Sequence, residues 1–134
     1  MMTYLYVALG SALGGMARYG AGLAAVRLWG TGFPWGTILI NVVGSFVIGF
    51  FGTLTLPDGP LPAATGLRVF VMVGICGGFT TFSSFSLQTL ELARDDAWTA
   101  AFANIALSVL LCLAAVTAGH LLAARIGLAA SAGR

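Results

Sequence analysis

Four long apolar runs, separated by short polar breaks, dominate the pattern along the chain. The runs cover about 4–26, 35–56, 68–93 and 97–124, and a bilayer core takes roughly 20 helical residues to cross. The breaks read RLWGTGFPWG, LPDGPLPAATGLR and LARDDAW, and the prolines fall in or beside them, where helices end. The pattern predicts an all-α membrane protein in which residues 1–134 form a single four-helix transmembrane domain.

The ends of these runs carry the aromatic residues expected at a membrane surface. Trp29, Trp35 and Trp98 all stand at predicted span ends, as in an interfacial aromatic belt. The first run has no cation before it and is longer than the core of a signal peptide. We therefore interpret it as a retained span.

Composition narrows the class of protein further. The chain is 59% hydrophobic and 7% charged, with a mean hydropathy of +1.00, which is typical of a membrane protein. A net charge of +2, spread along the chain, gives no basis for nucleic-acid binding. Cys76 and Cys112 lie in apolar runs and are interpreted as packing residues. His120 is the single histidine and is expected near a helix end. One histidine gives little support for a zinc cluster or a histidine-based catalytic triad.

The arginines are nearly balanced across the predicted membrane. With four spans, Arg68, Arg125 and Arg134 lie on the side of the termini, and Arg27 and Arg94 lie on the other. The cation bias of short loops sets orientation, and this bias is almost nil. Insertion in both orientations, giving an antiparallel dimer, and a weakly biased single orientation both remain open from the count alone.

The third run contains an unusual polar stretch, GGFTTFSSFS at 77–86. Glycine is weak inside helices and hydroxyl side chains compete for backbone hydrogen bonds, so a break in mid-membrane is one interpretation. Exposed carbonyls at such a break are tolerated where they line a polar cavity or hold a cation. The other interpretation is a small-residue packing face, for which Gly74 and Gly78 have the right spacing. The spacing does not separate the two.

Polar side chains also form stripes at helical spacing. Thr37, Asn41 and Ser45 share one face of the second run, and Asn104 and Ser108 share one face of the fourth. On packing grounds alone such stripes are interhelical hydrogen bonds. Together, however, they supply neutral donors, and Phe82 and Phe85 of the third run supply the electropositive edges of aromatic rings.

Acidic residues are missing from the span centres. Asp58, Glu91, Asp95 and Asp96 all fall in breaks or at span ends. Proton-coupled transporters need a carboxylate in the membrane, and cation pores often use acidic rings. Neutral donors and ring edges, with Arg18 adding positive potential within the first span, favour a small anion instead.

Three motifs then resemble a known family. GGMARY at 14–19, WGTILINVVGSFVIGF at 35–50 and GGFTTFSSFS at 77–86 closely resemble the signatures of the Fluc-type fluoride channels, also called the CrcB family. They occur in order and in the corresponding spans, and the resemblance extends over essentially the whole chain. GGFTTFSSFS after GTxxxN is highly specific, whereas GGMAR alone is weak.

The resemblance implies an antiparallel, dual-topology homodimer in which two pores, each lined by both subunits, pass fluoride. Phe82 and Phe85 would face the ion and Asn41 would donate hydrogen bonds to it. The pore residues implied for this chain are Asn41, Phe82, Phe85, Thr37, Ser108, Thr81 and Ser84, with Arg18 near the aqueous end. The match in the fourth span, which contains Ser108, is the loosest.

The resemblance also implies a structural Na⁺ at the dimer centre, ligated by the backbone carbonyls of Gly77 and Thr80 from each subunit. Carbonyl oxygens are suitable ligands for such a hard cation. One departure concerns charge: many members carry an acid shortly after FSSFS, whereas residue 88 is Gln here and the nearest acid is Glu91. Any role of Gln88 is therefore that of a neutral donor.

The expected function is a passive fluoride channel of the bacterial inner membrane that relieves cytoplasmic fluoride toxicity. An enzyme is not expected, because Ser83 and Ser84 have no base or acid near them in the membrane. Two alternatives are a small multidrug-type dual-topology transporter and a non-transporting membrane scaffold. The transporter would need a Glu within the first span, which has none. In a scaffold the polar stripes would serve packing only.

Overall fold

A computed structural model describes residues 1–132, and over that range the chain is helical with no strand. The elements are α1 (Met2–Trp29), α2 (Trp35–Leu54), α3 (Thr65–Arg68), a π-helical segment (Val69–Cys76), α4 (Gly77–Phe79), α5 (Phe82–Arg94) and α6 (Trp98–Ala132). Arg134, one of the arginines counted for orientation, lies outside the described residues.

Three helical stretches are long and apolar enough to cross a membrane, namely Trp35–Leu54, Thr65–Arg94 and Trp98–Ala129. They correspond to the second, third and fourth predicted spans. The predicted first span forms α1, which has 28 residues. It includes Arg18 and Arg27 and is less hydrophobic than the other three stretches. The chain is therefore a multi-pass, all-helical membrane protein.

Glycines bring α1 into backbone contact with the third span. A Cβ added at Gly10 would lie 2.5 Å from the carbonyl oxygen of Phe70, and one added at Gly78 would lie 2.6 Å from that of Ser11. Gly74 also approaches Gly10, with 2.8 Å between an added Cβ and the Gly10 Cα. The small-residue packing face predicted for Gly74 and Gly78 is thus present, because side chains there would separate the two helices.

The most extensive helix pair is α2 with α6. Gly49 of α2 and Gly119 of α6 bring the two backbones together, because an added Cβ at either position would collide with a carbonyl of the other helix. This close approach fixes the face of α2 that looks toward α6, and the polar residues discussed below follow that face.

The helical stretch from Thr65 to Arg94 is interrupted at two threonines. Thr80 (φ −77°, ψ 157°) and Thr81 (φ −153°, ψ 110°) are extended. Gly77 and Gly78 themselves remain helical in α4, so the interruption follows the glycines and does not coincide with them. α5 begins again after Thr81, whose Oγ1 accepts a hydrogen bond of 3.2 Å from the backbone N–H of Ser84 and caps the helix.

Polar side chains lie inside the bundle and large apolar side chains lie mainly outside. Asn104 is only 1% exposed, whereas most leucines on α6 are half or more exposed. This distribution suits a helix bundle surrounded by lipid or a partner subunit. The three tryptophans end α1 and begin α2 and α6. The prediction that His120 lies near a helix end is wrong, because α6 continues past it to Ala132.

Candidate functional site

Asn41 on α2 holds the interruption in place through two hydrogen bonds. Its Nδ2 donates to the carbonyl oxygen of Thr81 at 3.0 Å, and its Oδ1 accepts from the Thr81 N–H at 2.7 Å. In an uninterrupted helix that N–H would donate to the carbonyl of Gly77. The Asn41 amide therefore satisfies backbone groups that the extended threonines release, and it keeps its second Nδ2 proton for another acceptor.

The hydroxyl of Thr81 is the centre of a small local network. It donates to the Oγ of Ser84 at 3.0 Å and lies 3.2 Å from the Oγ of Ser83. The neighbouring Thr80 hydroxyl bonds in the opposite direction along the chain and donates to the carbonyl of Cys76 at 2.9 Å. Thr81 is buried and Ser84 half-buried. Because Thr81 uses its one hydroxyl proton on Ser84, Ser84 is the residue of this pair that keeps a proton for a ligand.

A cavity of about 430 Å³ gathers most of the predicted site, and we call it the central cavity. The predicted residues that line it are Asn41, Gly77, Thr80, Thr81, Phe82, Phe85 and Ser108. The rings of Phe82 and Phe85 are 5.1 Å apart and tilted by 51°. Phe85 is 8% exposed and Phe82 is 76% exposed, so only Phe85 is enclosed within one subunit.

The remaining predicted pore residues line a second cavity, of about 490 Å³, which we call the first mouth. The predicted residues that line it are Arg18, Thr37, Thr81 and Ser84. Because Thr81 lines both cavities, its hydroxyl and the Asn41 amide lie at the boundary between them. The structure thus divides the predicted set into two neighbouring groups that meet at Thr81.

Arg18 reaches the interruption from α1. Its Nη1 donates to the carbonyl oxygen of Thr80 at 3.5 Å, which is long for a hydrogen bond. Arg18 is half-buried and lines the first mouth, and none of the four acidic residues of the chain lines that cavity. Its charge therefore remains available to an anion in the mouth.

A polar relay joins the predicted stripe of Asn104 and Ser108 to Thr89, which the sequence analysis did not single out. Asn104 donates from Nδ2 to the Oγ1 of Thr89 at 2.8 Å, and Thr89 donates to the carbonyl of Phe85 at 2.7 Å. Ser108 donates to the Oδ1 of Asn104 over a longer 3.4 Å. Thr89 stands one turn after Phe85, and this spacing was the only signal of its role. The relay orients Ser108 and supports the backbone that carries Phe85.

Gln88 occupies the first mouth with part of its amide unpaired. Its Oε1 is buried and has no hydrogen-bond partner among the residues that the structure describes. A buried amide oxygen without a partner is costly unless water or another hydrogen-bond donor completes it. Gln88 was predicted to act as a neutral donor, and its position beside Thr37 and Ser84 puts it on the cavity wall.

The chemistry of this site is that of neutral donors with one fixed cation. Within residues 1–132 there is no group of three or more His, Cys, Asp or Glu side chains that could hold a metal ion. Hydroxyls, an amide and two aromatic rings line the central cavity, and Arg18 lines the first mouth beside it. Such an arrangement can replace part of the water shell of a small anion.

Comparison with known proteins agrees with this chemistry. Residues 5–120 match the family described as CrcB-like protein, Camphor Resistance (CrcB). The chain is 59% identical over 122 residues to the fluoride-specific ion channel FluC of Gluconobacter oxydans (strain 621H), covering 90% of this chain and 84% of that one. It is 56% identical over 124 residues to FluC of Opitutus terrae (92% and 93% covered). It is also 56% identical over 126 residues to FluC of Methylocella silvestris (93% and 95% covered). The chain therefore belongs to the CrcB family.

Proposed function

We propose that this chain is the subunit of a fluoride-specific ion channel that releases fluoride from the bacterial cytoplasm across the inner membrane. The observation that carries the proposal is the central cavity, where Asn41, Thr81, Ser108 and two phenylalanine rings converge with no acidic side chain on the wall. The names of relatives that are more than half identical support the same ion.

The central cavity offers fluoride a replacement for its water shell. A small anion loses a large hydration energy in a low-dielectric path, and fixed donors have to compensate for that loss. Asn41 is already oriented by Thr81 and has one Nδ2 proton to offer, whereas Ser108 has to release its long 3.4 Å hydrogen bond to Asn104 before its single proton can reach an anion. Preorganised donors and ring edges around a narrow space favour the smallest halide over chloride.

Four membrane spans with an antiparallel arrangement of two subunits complete the proposal. α1 is the least hydrophobic span, and its glycines place it against the third span. The interruption at Thr80 and Thr81 then lies in mid-membrane, where its polar groups face cavities and not lipid. The near-balance of arginines between the two sides supports insertion in both orientations.

A second subunit would complete the wall of each path. Phe82 is 76% exposed although it lines the central cavity and contacts Phe85. An exposed ring beside an open, donor-lined cavity is the surface expected of a pore that forms between subunits. Two subunits related by a two-fold axis in the membrane plane would form two equivalent fluoride paths.

The Na⁺ proposed for the dimer centre fits the oxygens present. The Gly77 carbonyl has lost its helical donor because the Thr81 N–H donates to Asn41. Among residues 1–132, the Thr80 carbonyl accepts only the long hydrogen bond from Arg18. Both residues line the central cavity, and carbonyl oxygens suit a hard cation. When bound, the ion would neutralise carbonyl dipoles and hold the two subunits together.

Passive flux needs no coupling residue. A cytoplasm that is negative inside drives one fluoride out at about 2.3 kcal/mol per 100 mV. HF enters as a weak acid and dissociates at neutral pH, so an open path for the anion is sufficient to remove it. The alternative small multidrug-type transporter is not favoured, because α1 carries no glutamate.

The direct test is fluoride efflux from liposomes that contain the purified protein, measured with a fluoride electrode. We expect rapid release of fluoride and no detectable release of chloride under the same gradient. Protein-free liposomes and liposomes with a Phe85→Ile variant are the controls. Retention of fluoride would refute channel activity, and equal release of both halides would refute selectivity alone.

Assembly and the Na⁺ site have separate tests. Accessibility of a single cysteine introduced near one terminus should show both orientations in the membrane, and labelling from one side only would refute the antiparallel dimer. A scaffold would assemble with Phe82→Ile and show no transport phenotype, whereas a channel would assemble and stop conducting. Replacing Na⁺ by a larger cation should lower the activity of the dimer, and indifference to the cation would refute the Na⁺ site.

A further inference from the structure

A third cavity, of about 480 Å³, lies at the opposite end of α2 from the first mouth, and we call it the second mouth. Thr53, Arg68, Thr117 and His120 supply its polar side chains, and none of the chain's acidic residues lines it. Thr53 stands one residue before the end of α2. The predicted pore residues do not include any of these four.

The second mouth continues the line of the other two cavities. It shares Ile48 and Met72 with the central cavity, just as the central cavity shares Thr81 with the first mouth. On α6, Ser108 and Cys112 line the central cavity, and the next two positions at the same spacing are Val116 and His120 of the second mouth. Residues four apart lie on one helix face. One face of α6 therefore runs from the predicted pore to His120.

Two groups in the second mouth are suited to an anion. Arg68 is fixed by its Nη1, which donates to the Gly52 carbonyl at 3.1 Å and to the Thr55 hydroxyl at 2.7 Å. Its other guanidinium protons are left for further acceptors. The Nδ1 of His120 lies 2.8 Å from the Thr53 hydroxyl, and its Nε2 makes no hydrogen bond within the part of the chain that the structure describes.

We infer that the second mouth is a further anion-binding site, formed by Arg68, Thr53 and His120, through which a small inorganic anion leaves or enters the path. The inference rests on the proposed fluoride channel. Fixed positive charge in a low-dielectric cleft raises the local concentration of anions and their rate of entry. Ionisable side chains around His120 are few: α2 has none, Arg68 shares the cavity, and Arg125 is exposed further along α6.

The test places a chosen charge at position 120 and measures fluoride current. His120 is exposed, so a His120→Cys variant can be modified by methanethiosulfonates that carry a positive, a negative or no charge. Currents are recorded in planar bilayers at low ionic strength, where charge effects are least screened. We expect the positive reagent to raise the current and the negative one to lower it, about threefold apart or more.

Controls separate this site from the rest of the protein. Wild type treated with the same reagents reports any modification of Cys76 and Cys112. Leu121→Cys, one residue further along α6 and outside the three cavities, should give currents that do not depend on the charge of the reagent. If His120→Cys does not assemble, the substitutions His120→Lys, His120→Gln and His120→Glu should rank the current in that descending order.

The outcomes distinguish the inference from the proposed function. A wild type that carries no fluoride current refutes the channel and the second mouth together. A wild type that conducts, with equal currents after all three reagents at position 120 or no ranking among the three substitutions, overturns the second mouth alone.

Discussion

The stretch from Thr65 to Arg94 has two halves that are held in place by different forces. Before Thr80, contact depends on shape: Gly74 and Gly78 allow α1 to approach to backbone distance. After Thr80, position depends on hydrogen bonds, from Asn41 to the Thr81 carbonyl and from Asn104 to the Thr89 hydroxyl. The first half therefore anchors the span in the bundle, and the second half arranges donors around the cavities. Substitutions should separate these two roles.

The largest effect is expected where α1 packs backbone to backbone against the third span, because no side chain fits between them. Gly14→Ala should destabilise the protein by about 1–3 kcal/mol or more, because its Cβ would collide with the Ile75 carbonyl and lie 2.8 Å from the Phe79 nitrogen. Gly15→Ala is the matched control, since nothing lies within 4 Å of a Cβ there. Size-exclusion profiles and thermal unfolding in detergent measure both. Equal stability of the two variants would refute the shape-based anchor.

Asn41→Ala should have the next largest effect. It removes the partners of the Thr81 N–H and carbonyl, which costs about 1–3 kcal/mol in total, and it removes a donor from the cavity. We expect fluoride efflux to fall about tenfold or more while the protein remains folded. Ser45→Ala, one turn later on the same cavity wall, should change efflux far less. Similar losses of efflux in the two variants would show that the hydrogen bonds to Thr81 do not determine fluoride efflux.

Substitutions of Phe82 and Phe85 should differ in their effect on stability but should both lower fluoride efflux. Phe85→Ile should cost about 1 kcal/mol of stability, because the ring is buried and packs against Phe82. Phe82→Ile should cost less than about 0.5 kcal/mol within one subunit, because that ring is exposed. Both should lower fluoride efflux. A Phe82 variant with unchanged efflux would remove this ring from the ion path.

The smallest effect is expected at Arg18. Arg18→Lys keeps the charge in the first mouth but loses the fork of donors that reaches Thr80. Because that hydrogen bond is long, we expect only about a threefold decrease in efflux. Arg27→Lys, at the exposed end of α1, is the control and should behave as wild type. Wild-type efflux in both would reduce Arg18 to a replaceable positive charge.

The helices could be predicted closely because apolar length and proline position determine them. The predicted spans about 35–56 and 68–93 correspond to helical stretches Trp35–Leu54 and Thr65–Arg94. The π-helical segment Val69–Cys76 could not be predicted, because its sequence is a uniformly apolar run with no local signal. His120 was misplaced because the fourth span was predicted to end at about 124, whereas α6 continues through Gly127 to Ala132.

The structure places the predicted pore residues on the walls of two neighbouring cavities, but their arrangement there could not be predicted. Motif resemblance selected Asn41 and Thr81, but their mutual hydrogen bonds join residues far apart in the chain, and spacing along one helix carries no such information. For the glycines, spacing left packing and interruption as alternatives. Packing holds at Gly74 and Gly78, and the backbone turns extended two residues later. For Thr89 the spacing from Phe85 was the only signal, and it did not indicate the partner Asn104, which lies on another helix.

The Asn41 carboxamide holds the extended chain at Thr81 through two hydrogen bonds. In the proposed channel the same group would also donate to the passing halide. Attempts to change the ion selectivity should therefore leave Asn41 unchanged, because a substitution at Asn41 would also release the extended segment at Thr80 and Thr81. Ser45 and Ser108 are better starting points: both border the same space, and neither holds a backbone group of the threonine pair.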